Sequence, residues 1–135
     1  MNEKLIIWSK NLAIGLKDID NQHKNFIGLI NNAYLAHLKK DKTLMEENLN
    51  ELMEFARIHF TTEENYFKKW NYPYAKEHMA EHEKIIIQIL KFKDSFDIGK
   101  CDCEKFLIFL KDWLENHLKN HDFKYKDYFK EKGFI

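Results

Sequence analysis

At 135 residues, 44% of them hydrophobic, the chain can close one core and is too short for two, so we read 1–135 as one domain. Lysine plus arginine and aspartate plus glutamate each number 22, and a net charge of zero gives no electrostatic reason to expect nucleic acid or an anionic membrane as partner. The opening MNEKLIIWSK has an apolar run of only four residues, too short for a signal-peptide core or a spanning helix, which makes a soluble cytoplasmic protein the expectation.

Residues 1–18 carry Ile6, Ile7, Trp8, Leu12, Ile14 and Leu16 in no helical period, with Gly15 interrupting, and so predict an extended arm packed along the body. Asp18 or Asp20 offers a cap for a first helix over 20–40, whose stripe is His23, Ile27, Ile30, Tyr34 and His37. Thr43-Leu44-Met45-Glu46 reads as a capping box, opening a second helix that runs to about residue 69 with Leu49, Leu52, Ala56, His59, Glu63 and Phe67 on one stripe. Pro73, the only proline, suits the first turn of a third helix bearing His78, His82, Ile85, Ile89, Phe92 and Phe96, and Gly99 suits its end. Cys101 and Cys103, with no further cysteine to join, are expected as two reduced thiols in a loop. A fourth helix over about 103–119 presents Phe106, Leu110, Trp113 and His117, and a short helical tail follows over 122–131. Four amphipathic helices joined by short loops predict an all-α, up-down-up-down four-helix bundle with an N-terminal arm and a short C-terminal helix.

Polar residues fall where the core should be. His23, His59, Glu63, His78, His82 and His117 all lie on the apolar stripes. Residues four apart on a helix advance about 400° and about 6 Å, so His59 with Glu63 and His78 with His82 each project from one face, one turn apart. Burying such groups unpaired costs roughly 1–3 kcal/mol each. One histidine on an apolar face is ordinarily a hydrogen-bonded core residue, but five spread over four helices are satisfied together by a shared metal centre.

The residues D20-N-Q-H23, H59-F-T-T-E63, H78-M-A-E-H82 and W113-L-E-N-H117-x4-D122 resemble the motifs of the hemerythrins, in particular the single-domain bacterial hemerythrins (bacteriohemerythrins). The resemblance spans nearly the whole chain. It implies a non-haem di-iron centre, oxo- or hydroxo-bridged, with His78, His82 and His117 on one iron, His23 and His59 on the other, and Glu63 and Asp122 bridging. Helical periodicity alone would favour His121 over Asp122, which lies about 140° around an ideal helix from His117. Charge supports the family spacing, because two bridging carboxylates and a hydroxide offset three of four positive charges. The helix is therefore expected to distort or end near residue 120, with His121 and His37 as surface residues and Glu64 either solvated or bracing a ligand.

On this correspondence the iron held by His23 and His59 lacks a sixth donor, and dioxygen is the implied ligand there. The implied function is reversible dioxygen binding for storage or delivery to an oxygen-consuming client protein, without enzymatic turnover. An oxygen or redox sensor and a di-iron oxidase or protective protein are the alternatives built on the same site. Phe26, Phe60, Trp113, Leu114 and Leu118 are candidates for the dry wall of the pocket, with Leu118 and Trp113 expected to shield the open position. His78-Met79-Ala80-Glu81-His82 also fits the H-x-x-E-H zinc-peptidase pattern, but that reading leaves His23, His59, Glu63 and His117 unexplained. The carboxylate-rich ferritin design needs Glu-x-x-His, which this chain does not contain.

Overall fold

The computed structural model describes residues 4–135, so the first three residues of the predicted arm lie outside it. The arm itself is extended apart from a 3-10 turn at Lys10–Leu12. The side-chain amide of buried Asn31 clips it to the bundle. Its Oδ1 accepts from the amides of Leu5 (2.9 Å) and Ile6 (3.2 Å), and its Nδ2 donates to the Ile6 carbonyl (2.9 Å).

Helix α1 (Lys17–Leu38), α2 (Lys42–Lys69), α3 (Ala75–Asp97) and α4 (Cys103–His117) form an all-α four-helix bundle, with a short α5 (Phe123–Glu131) behind it. Helix α1 packs beside α2 and α4, and α2 beside α3; Phe92 of α3 stacks on Phe106 of α4 with ring centroids 3.8 Å apart, which closes the circuit.

Three of the expected helix starts move. Helix α2 opens at Asp41, whose carboxylate accepts the Leu44 amide at 3.0 Å, so the Thr43 capping box is not the cap. The cause is the end of α1. Lys40 takes φ +55, and the amides of Lys40 and Asp41 bond back to the His37 and Ala36 carbonyls, which sets Asp41 down in position to cap immediately. Pro73 sits not at the first helical position but in the turn from Tyr72 to Ala75, which its fixed φ suits, and α3 starts after Tyr74 without a side-chain cap. Neither Asp18 nor Asp20 caps α1. Asp20 lies in the first turn and reaches back to the amides of Ile14 (2.7 Å) and Gly15 (3.1 Å), while Asp18 accepts from the Tyr66 hydroxyl. The end of α3 is as expected, with Gly99 at φ +72 and Lys100 bonding back to Ser95.

Cys101 and Cys103 form a disulfide, which corrects the expectation of two free thiols. Asp102 between them caps α4 through the Lys105 amide (3.1 Å). The tight approach to that cap leaves the two Cα atoms 5.4 Å apart, within bridging range.

The apolar core divides into three clusters. Ala33, Ala36, Met45, Leu49, Phe92 and Leu107 fill one end, and Phe26, Ile27, Ile30, Leu52, Ala56, Phe60, Ile85, Leu110, Leu114 and Leu118 fill the middle. The aromatic other end is built from Ile14, Ile19, Phe67, Tyr72, Tyr125 and Phe129. The polar cluster lies between these last two. Phe60 of the middle cluster touches His59 and His82, and Phe67 and Tyr125 of the end cluster touch His78.

Candidate metal centre

Every one of the seven expected donors is buried at this level of the bundle: His23 from α1, His59 and Glu63 from α2, His78 and His82 from α3, His117 at the end of α4, and Asp122. What brings Asp122 inward is a π-helical turn, Leu118–Asp122, in which the Phe123 amide bonds five residues back to the Leu118 carbonyl. The widened turn absorbs the fifth residue that an α-helix would rotate away, and such insertions recur at functional sites. The expected distortion near residue 120 thus takes the form of a widened turn, with helix on both sides.

The imidazoles fall into two sets. His78, His82 and His117 stand with ring centroids 4.5, 4.7 and 5.2 Å apart; His23 and His59 form a separate pair at 4.6 Å. Both sets face the same two carboxylates. Asp122 turns Oδ2 to His23 Nε2 (3.3 Å) and Oδ1 to His78 (3.1 Å) and His117 (3.2 Å). Glu63 Oε1 meets His82 at 3.1 Å, His59 at 3.5 Å and His78 at 3.8 Å. Among the described residues, all but two of the buried side-chain N and O atoms without a hydrogen-bond partner belong to this cluster; the others are on Trp8 and Asn48. Buried polar atoms aimed at one another and left unsatisfied are the signature of donors arranged for a cation.

Oxygens outside the cluster orient the donors. Gln22 Oε1 lies 2.8 Å from His59 Nδ1, and its amide donates to Thr62 Oγ1 (3.1 Å). Glu64 Oε2 lies 3.1 Å from His82 Nδ1, which makes it a bracing residue, and Tyr125 donates to Glu63 Oε2 at 2.6 Å. An oxygen on Nδ1 keeps the proton there and leaves Nε2 for the interior. Sequence reasoning assigned no role to Gln22, Thr62 or Tyr125. Tyr125 follows Asp122 by three residues, one turn on, which was the only local sign; Gln22 and Thr62 meet across two helices. Replacing Tyr125 by phenylalanine removes a buried donor from a carboxylate, and metal affinity, measured by chelator competition, is expected to fall roughly 10-fold or more.

The candidate wall is partly where expected. Phe60 stacks on His82 at 3.9 Å, and Phe26, Phe60, Leu114 and Leu118 share one buried cluster. Trp113 stacks on His117 at 4.6 Å and is half-buried. It therefore covers the three-histidine set, and it also meets Phe60, the neighbour of His59, at 6.3 Å. His37 lies apart from the cluster beside Tyr34, and half-exposed His121 is drawn in against His117.

Protonation follows from these contacts. Burial opposes charge on His78, but the Asp122 and Glu63 carboxylates, which face its ring and favour the protonated form, overcome it and hold the imidazole up at about 9. Burial dominates at His59 and lowers it to about 4. Glu63 and Asp122 stay well below the usual carboxylate range: burial is again the largest influence and opposes the charge, and the surrounding imidazoles outweigh it. In the metal-free chain the His78 pairing therefore stabilises fully below about 6.5 and is lost as pH rises through about 9. An imidazole binds a metal only in its neutral form, so ion binding at pH 7.5 is expected to expel at least the His78 proton, with affinity rising toward pH 9. Calorimetric titration in two buffers of different ionisation enthalpy measures this; equal heats in both would contradict it.

The model of the family described as "Hemerythrin HHE cation binding domain" matches residues 14–129. A bacteriohemerythrin of Pseudomonas aeruginosa is 30% identical over 122 residues, covering 90% of this chain and 80% of that protein. A hemerythrin-like protein of Naegleria gruberi is 32% identical over 119 residues, covering 88% and 89%. The crystal structure of a wild-type hemerythrin superposes with a TM-score of 0.85 at 24% identity, covering 91% of this chain and 96% of the other, a likeness of fold.

Proposed function

The chain belongs to the hemerythrin family, and from that premise we propose that its seven buried donors hold two iron ions and take up dioxygen reversibly, as a store or in delivery to an oxygen-consuming protein. The observation that carries this reading is the unequal division of imidazoles, three against two, around a shared pair of carboxylates. His78, His82 and His117 would hold one ion and His23 and His59 the other, with Glu63 and Asp122 shared between them, so the two-histidine side would offer one protein donor fewer. Bound there, a ferrous pair would supply the two electrons on which reversible uptake of dioxygen depends.

The protein's own part is to hold that side dry and to keep charge balanced. Glu63 and Asp122 lend two negative charges in a region without solvent, and the imidazoles stay neutral donors once an ion is bound. Phe26, Phe60, Leu114 and Leu118 pack the middle cluster against the site and exclude water. Among the described residues no helix is long and apolar enough to cross a membrane.

Anaerobic reconstitution with ferrous iron, followed by oxygen and then argon, tests the proposal. A visible charge-transfer band that appears under oxygen and fades under argon supports binding without turnover. Irreversible conversion to the ferric form, or turnover of added reductant, would replace it with sensing or oxidase chemistry.

A further inference from the structure

Among the described residues, one further group with metal-ligating geometry extends beyond the seven donors: Glu81 and His121 with His117, each offering one ligand atom within 4.8 Å of the others. Glu81 Oε1 and His121 Nε2 stand 3.3 Å apart. Two donors sharing a first-row cation at about 2.1 Å are separated by about 3.0–3.4 Å, so the pair already has the spacing of adjacent ligands. Their side chains are 27% and 34% exposed, while His117 is buried. The three thus run from the surface of the bundle to a member of the buried cluster.

His117 joins the two groups. Its Nε2 faces Asp122 at 3.2 Å, and its Nδ1 is buried without a partner. The nitrogens of an imidazole diverge, so a ring with Nε2 turned inward presents Nδ1 to its other flank. His121 stacks on that ring at 5.2 Å and meets His78 edge-on at 5.9 Å. The π-turn accounts for the placement. It carries Asp122 into the centre and leaves His121, one residue earlier, at the rim.

We propose that Glu81 and His121 form a loading port, where a divalent first-row cation is held between them and His117 before it passes inward. This rests on the reading of the seven buried side chains as the resident metal centre. A port of one carboxylate and imidazoles binds weakly enough to release what it captures, and it replaces water ligands one at a time before the ion enters a dry interior. Lys84 donates to Glu81 Oε2 at 3.2 Å and is 75% exposed, so it swings aside when a cation arrives and competes with it until then.

A port speeds filling and emptying equally and leaves the equilibrium untouched; a residue that merely braces His117 changes the equilibrium. Stopped-flow mixing of metal-free protein with cobalt(II), whose visible d–d bands report occupancy of the centre, separates the two. Glu81→Gln and His121→Gln are expected to fill at least 10-fold more slowly, and to release cobalt to saturating EDTA more slowly by the same factor. Final stoichiometry and dissociation constant should match the parent chain. Lys84→Ala should fill faster. Unchanged filling rates in all three variants, or a weakened equilibrium with normal filling, would overturn the port alone. A parent chain that never develops the cobalt spectrum would overturn the metal-centre reading beneath it.

Discussion

On the proposed di-iron centre, the Asp122→Asn chain is expected to fold and to fail to retain iron. Asp122 is fully buried and is the side chain that spans the cluster, with one oxygen toward His23 and the other toward His78 and His117. Asparagine keeps the shape and the π-turn and removes one negative charge. Were two ferrous ions held there with Glu63 and a hydroxide, the buried residual charge would rise from one to two, which a low-dielectric interior resists strongly. Loss of a bracing contact at a metal site already costs 10–100-fold in affinity, so loss of a charged donor shared by two ions is expected to cost roughly 100-fold or more. Iron per chain after anaerobic loading and gel filtration should fall from two to below one, with the helical circular dichroism of the metal-free form unchanged. An Asp122→Asn protein that still carries two irons would mean that Asp122 does not bridge.

The helical stripes were legible because burial and periodicity are local rules. Leu49, Leu52, Ala56, Ile85, Ile89 and Leu110 are buried as their spacing required. The donors on those stripes were legible for the opposite reason, since imidazoles and a carboxylate at core positions conflict with packing unless something satisfies them. The π-turn was not written in any propensity. A 3.6-residue period places His121 under His117, and Asp122 was favoured by the spacing of the hemerythrin motifs, with the demand for charge at the centre in support. Caps failed where two signals competed a residue or two apart, as Asp41 did with Thr43, because the winner is set by how the preceding helix ends. Gln22 on His59 and Glu64 on His82 depend on which helix is the neighbour, which spacing along one chain does not state.

Replacing Leu118 by alanine is expected to shorten the autoxidation half-life at least 10-fold while two irons remain bound. Leu118 is fully buried with Phe26, Phe60 and Leu114, directly after His117, and its carbonyl accepts the amide that closes the π-turn. A cavity lined only by hydrocarbon stays dry, whereas water occupies a cavity that offers it two or more polar partners. Leu118 belongs to the cluster whose Phe60 meets His59 and His82, so water admitted to the vacated space is expected to lie near the unpartnered polar atoms of the centre. Destabilisation alone is no test, because any buried leucine truncated to alanine costs roughly 2–5 kcal/mol. Leu107 provides the control, being equally buried but in the cluster at the far end of the bundle. Leu107→Ala should lower the melting temperature comparably and leave autoxidation near the parent rate. If both variants autoxidise equally fast, general loosening of the bundle governs the rate, and Leu118 does not guard the pocket.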